Sequence, residues 1–182
     1  MKEQIDWQAL ASQLGTLREG GESSGSQKAC EALEILLGED NLRRAVDYYI
    51  SGKPGSELAR SVLWHIRPFS AIRYCYDIFK SNLPIEVRRS AVELLRVVAD
   101  KRAVDWIDEF LNDEDADIQA WGAGVLDQLL WSELVEPEDV EYLLAKAETH
   151  SNIGVRDTAE FIRDFLKTRR GQNEAARNET NT

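Results

Sequence analysis

The chain has 182 residues, of which 43% are hydrophobic and 30% charged, and its 33 Asp and Glu outnumber 22 Lys and Arg to give a formal net charge of −11 at pH 7. That balance is ordinary for one globular domain, and the acidity argues against a polyphosphate ligand, so nucleic acid is not the expected partner. No apolar run nears the roughly 18 residues that cross a bilayer, the first residues Met1-Lys2-Glu3-Gln4-Ile5-Asp6 lack a signal peptide's apolar core, and Cys30 and Cys75 are too few for a disulfide framework or zinc site, so the expectation is a cytoplasmic protein without membrane, metal or cofactor.

Taken in order, Asp6 to Leu17 places Leu10, Leu14 and Leu17 on one face, which predicts an N-terminal capping helix within residues 1–19. Residues 20–26, Gly20-Gly21-Glu22-Ser23-Ser24-Gly25-Ser26, read as a flexible loop. They do not form a phosphate-binding loop, because no Lys-Ser/Thr follows the last glycine and no strand precedes the run. A first helical pair spans 27–37, with Ala29, Leu33, Leu36 and Leu37 inward, and 41–50, with Leu42, Val46, Tyr49 and Ile50 inward, broken at Gly38. After the turn Gly52-Lys53-Pro54-Gly55, a second pair runs from Ser56 to Arg67 and from Ser70 to Lys80, interrupted at Pro68. Pro84 opens a third pair, Ile85 to Asp100 and Ala103 to Leu111, with Val104, Ile107, Phe110 and Leu111 inward. Asp115 is the expected N-cap of a helix from Ala116, Pro137 starts its return helix through Val140, Leu143, Leu144 and Ala147, and a last helix covers Gly154 to Thr168. Residues 169–182 are polar and read as a disordered tail, in which the triplet Asn178-Glu179-Thr180 is a chance glycosylation match.

The helices repeat. Val87, Ala91, Leu94, Leu95 and Val98 stand at offsets 0, 4, 7, 8 and 11, the stripe of an amphipathic helix. Ile118, Gly122, Val125, Leu126 and Leu129 follow the same offsets, as do Val155, Ala159, Ile162 and Leu166, and Leu58, Val62, Ile66 and Phe69. The starting points lie 29, 31 and 37 residues apart, and Ser81-Asn82-Leu83 before Val87 matches Ser151-Asn152-Ile153 before Val155. Such a period signals stacked helical pairs.

An Asn or Asp turn followed by Val87-Arg88 or Val155-Arg156, a small residue four positions on and Leu-type residues seven and eight positions on resembles the HEAT repeat in its short form. The Leu58 and Ile118 copies depart from the pattern, with Arg displaced to Arg60 or replaced by Gln119. The resemblance implies an all-α fold, a short right-handed α-solenoid of about four to five HEAT-like helical pairs over residues 27–168 with helical caps, and a scaffold role. It names no reaction.

Function must then come from the face opposite the buried stripe, offsets 2, 6, 9 and 13. There the Leu58 helix carries Arg60, Trp64 and Arg67, and the Val87 helix Arg89, Glu93 and Arg96. The Ile118 helix carries Ala120, Gly124, Asp127 and Trp131, and the Val155 helix Asp157, Phe161 and Asp164. Aromatic side chains at outward positions flanked by charge are anchors of protein interfaces. Trp7, Trp106 and Trp121 lie nearer the apolar stripes and are expected in the core. Charge is also one-sided: residues 51–100 hold eight Lys and Arg against five Asp and Glu, whereas residues 101–164 hold five against seventeen. An acidic half of this size favours a basic protein partner. A homodimer is the other cover for the aromatics.

Catalytic constellations are thin. His65 falls at the edge of a core stripe, His150 falls in a turn, and neither has a nucleophile or metal-ligand spacing beside it. The expectation is a non-enzymatic protein-protein interaction module. A short, free-standing, acidic chain of this kind is similar to bacterial immunity proteins, which implies an inhibitor that occludes a cationic, nuclease-type partner. The alternatives are HEAT-like alkylpurine DNA glycosylases, whose Trp, Asp and Arg set Trp121, Asp127, Trp131 and Arg89 or Arg96 could mimic, and HEAT-like bilin lyases.

Overall fold

The computed structural model describes residues 27–98 and 100–180, together with Asp6 and the pairs 17–18 and 21–22. The chain divides into two compact units, Met1–Ala103 and Val104–Thr182. The first holds 15 Lys and Arg against 14 Asp and Glu; the second holds 7 against 19. Nearly all of the described structure is helical. The exception is a two-residue antiparallel pair, Leu17–Arg18 (β1) with Gly21–Glu22 (β2). Of the expected capping helix, Leu17 lies in β1, and the rest, apart from Asp6, lies outside the described residues.

Among its described residues the first unit holds five helices: α1 (Gln27–Leu37), α2 (Glu39–Ile50), α3 (Ser56–Ile66), α4 (Phe69–Phe79) and α5 (Ile85–Val98). Their ends follow local chemistry. Gly38, at φ 73°, separates α1 from α2 in a conformation that only glycine adopts at no steric cost. Arg67 closes α3 in the left-handed region, its N–H donating to the Leu63 carbonyl, and Pro68 prevents continuation. Pro84 supplies the carbonyl that receives the first N–H groups of α5, from Val87 and Arg88. Helix α1 packs on α2, α2 on α3 and α4 on α5, and α1 also meets α3, α2 meets α4, and α3 meets α5. Leu42, Leu63, Ile72, Leu94 and Leu95 fill the interior.

Two expected inward positions in this unit face out. Leu36 is 80% exposed, as is Ile35, because α1 turns the half-buried row Cys30, Leu33, Glu34 and Leu37 inward instead. Cys30, Leu33 and Leu37 pack on Val62 and Ile66, while the Glu34 carboxylate accepts from both the N–H and the hydroxyl of Ser70 in the first turn of α4. That anchor sets the helix rotation. Leu58 is also exposed, since steps of four residues drift around a helix by about 40° each, and the buried row of α3 is Ala59, Val62, Leu63 and Ile66.

In the second unit are α6 (Val104–Leu111), α7 (Ala116–Trp131), α8 (Glu141–Glu148) and α9 (Ile153–Thr180), with a 3₁₀ turn at Pro137–Val140 before α8. Asp115 caps α7, its carboxylate accepting from the N–H groups of Asp117 and Ile118 at 3.1 Å. The α7 helix packs on α6 and α9, and α8 packs on α9. Gly122 permits the α6 contact: a Cβ there would stand 2.5 Å from the Phe110 Cβ. Because α7 is covered so widely, Gly124, expected on the open side, is buried with Gly122 and Ala123. The asparagine before α9 is a connector. Its amide N–H₂ donates to the Ala116 carbonyl and to Gln119, its Oδ1 accepts from the Gly154 N–H, and its own backbone N–H donates to His150 Nδ1. His150 Nε2 in turn donates to the Leu111 carbonyl at 2.8 Å, so His150 is a structural link between α6 and the start of α9. The α9 helix continues to Thr180, past the expected end at Thr168, in a segment free of proline and holding the good helix formers Arg, Gln, Glu and Ala.

Candidate protein-binding face

The first unit brings six of the predicted residues onto two touching helices, with Arg60 and Trp64 in α3, Arg67 at its C-cap, and Arg89, Glu93 and Arg96 in α5. All six are half-buried. Tyr49, from α2, explains part of this cover: its hydroxyl donates to the Glu93 carboxylate across the helix layer. Burial first, and then this hydrogen bond, push the Tyr49 phenol well above its ordinary range. Arg60 pairs with Glu57 one turn earlier at 3.0 Å. The Trp64 indole lies against the ring of buried His65, with centroids 4.6 Å apart. Of these contacts the Tyr49–Glu93 bond joins two helices, while the Arg60 and Trp64 contacts lie within α3.

Both cysteines are likewise structural in setting. The Cys30 thiol donates to the His65 carbonyl at 3.3 Å, and burial pushes the thiols of Cys30 and Cys75 up, which disfavours the reactive thiolate. Trp106 and Trp121, expected in the core, are half-buried, and Trp7 lies outside the described residues.

The second unit treats its five predicted residues differently. Asp127 and Trp131 stand one turn apart near the end of α7, and Asp157, Phe161 and Asp164 lie on α9, which packs against α7. Trp131 and Phe161 are each 55% exposed, Asp157 and Asp164 are exposed, and Asp127 is half-buried. A residue not anticipated from the sequence joins the two helices: the Phe165 ring meets the Trp131 indole at 4.6 Å between centroids, with the planes tilted by 32°. Phe161 precedes Phe165 by one turn, so Trp131, Phe165 and Phe161 form one aromatic edge. Ile153, also unanticipated and 65% exposed, stands at the start of the same α9 face.

Beside this edge runs an open depression of about 590 Å³ lined by Ile153, by Asp157, Glu160 and Asp164, and by the cations Arg156 and Lys167. Arg163 also lines it, and its guanidinium donates to Glu141 at 2.6 and 2.9 Å and to Glu148 at 2.6 and 3.3 Å. These bonds raise the Arg163 pKa further and lower that of Glu148, so the clamp stays ionised at neutral pH. Lys167 pairs with Asp164 at 3.2 Å, both side chains being largely exposed. Asp157 and Glu160 form no ion pair among the described residues. The arrangement offers a partner an apolar ridge with carboxylates alongside.

Among the described residues, no group of three or more His, Cys, Asp or Glu side chains has the geometry to hold a metal ion, and no helix is long and apolar enough to cross a membrane. The glycosylase-like set falls in both units, with Arg89 and Arg96 in the first and Trp121, Asp127 and Trp131 in the second. The chain matches no protein-family model, no curated protein and no solved structure.

Proposed function

We propose that this chain is a non-enzymatic binding module of HEAT-like helical pairs that docks a basic protein on the α7–α9 face of its second unit. The observation that carries the reading is the aromatic edge of Trp131, Phe165 and Phe161, half of Trp131 and Phe161 lying in solvent beside Asp157, Glu160 and Asp164. Buried aromatic anchors supply the affinity at protein interfaces, and charge of one sign speeds encounter with a partner of the other. The packing of α1 on α2 and α3, of α2 on α3 and α4, and of α5 on α3 and α4 supports the HEAT-like repeat. The acidic excess supports a cationic partner over nucleic acid. In its most specific form the module is a cytoplasmic inhibitor of the immunity type, covering a phosphate-binding surface on a nuclease-type protein by steric and electrostatic occlusion.

The test is affinity capture from native cell extract at low and moderate salt, using the wild type and a Trp131→Ala/Phe161→Ala variant. One identified basic protein, held by the wild type, weakened by salt and lost with the variant, is the expected result. Retention that ignores both salt and variant removes this face from consideration.

A further inference from the structure

Resting on the reading of this face as a docking site for a basic protein, we infer that the docked element is an amphipathic helix with one row of Lys or Arg, lying along α9. At about 100° per residue, Glu160, Ile153, Asp164, Asp157 and Phe161 fall in that order across roughly 100° of the α9 surface, from the α8 side towards α7. Phe165, under Trp131, comes next. The face therefore has an acidic lane bordered by an aromatic one, and its axis is that of a helix.

Spacing selects the partner's conformation. Asp157, Glu160 and Asp164 are separated by three and four residues, so their carboxylates follow one another at about one helical turn, near 5 Å. A partner helix lying parallel or antiparallel to α9 presents side chains of one row at the same interval. An extended strand presents same-face side chains about 6.6 Å apart and falls out of step within three contacts. The apolar row of an amphipathic helix would then rest on Phe161 and Trp131, each 55% exposed.

Local cations leave the lane open. Arg156 donates to the carbonyls of His150 and Ser151 at 2.5 and 2.9 Å, and Arg163 is held by Glu141 and Glu148. Lys167 is the cation within the lane, and its exposed pair with Asp164 is weak enough to be displaced. A second copy of the chain is the poorer occupant, because it would set a unit of 19 Asp and Glu against 7 Lys and Arg opposite its own like.

The test uses two labelled peptides of about 18 residues, long enough to form a helix, with identical Leu and Lys content. One has Leu at helical spacing; the other alternates Leu and Lys as a strand would. Fluorescence anisotropy titrations with the full chain at about 50 and 300 mM salt follow binding. The helical pattern should bind at least about tenfold tighter than the alternating one, and Asp157→Asn/Asp164→Asn and Phe161→Ala should each weaken it about tenfold. Equal binding of the two peptides overturns the helix assignment while leaving a basic partner in place. Binding of neither peptide at low salt overturns both the assignment and the basic-partner reading.

Discussion

The outward positions of α3 and α5 in the first unit and that of α9 in the second meet opposite circumstances. In the first, Trp64 and Glu93 hold the outward place on α3 and α5, yet Tyr49 donates to Glu93 and Trp64 lies against His65. In the second, Phe161 holds the equivalent place on α9 and stands 55% exposed. Periodicity decides which side of a helix a residue occupies. What covers that side depends on the neighbouring helices: Tyr49 of α2 reaches Glu93 in one unit, whereas Phe161 stands more than half in solvent in the other. An aromatic residue on a helix's outer side is therefore a binding candidate only where its unit leaves it uncovered, and by that measure the candidate face belongs to α7 and α9.

This contrast can be broken experimentally. The largest expected effect is on folding of the second unit: Phe110→Ala, removing a fully buried ring packed on Gly122, should cost about 3–5 kcal/mol in denaturant unfolding. Next comes binding. Trp131→Ala/Phe161→Ala should weaken a partner by about 2 kcal/mol or more in a calorimetric titration, with the stability loss confined to the aromatic pair, about 0.5–1.5 kcal/mol. Trp64→Ala should do the reverse, lowering the melting temperature and leaving partner affinity unchanged.

Tyr49→Phe should destabilise by about 1.5 kcal/mol through loss of a hydrogen bond to a carboxylate, and it carries a pH signature. A phenol raised in the folded state gives stability that is complete below its unfolded value of about 10 and is lost as pH climbs beyond it. The fall in unfolding midpoint above about pH 10 should thus be shallower in Tyr49→Phe than in the wild type. The smallest effect has the opposite sign. Lys167→Ala should change stability by less than about 0.5 kcal/mol and tighten a basic peptide slightly, because Asp164 is released.

Much of the helical framework is legible from period and punctuation. Gly38, Pro68, Pro84 and Asp115 mark ends where the structure has them, and the Ile118 and Val155 stripes are buried in full. The Leu36 and Leu58 positions were less legible, since a stripe specifies a broad face and the Glu34 contact with Ser70 or the smallness of Ala59 selects the row within it. Of the candidate face, the outward position of Phe161 and Trp131 follows from spacing alone. Their union through Phe165 does not, because it depends on a contact 34 residues apart in the chain, between Trp131 and Phe165. The cover over Glu93 was hidden for the same reason: Tyr49 lies 44 residues from its partner.

The most direct measurement is the affinity of one purified basic partner for three forms of the chain, the wild type, Trp131→Ala/Phe161→Ala and Trp64→Ala, each at two salt concentrations. Binding lost with the second form, kept with the third and weakened by salt is what a docking face on α7 and α9 predicts. Binding that survives in the second form and is lost in the third would place the interface on the first unit and contradict the account.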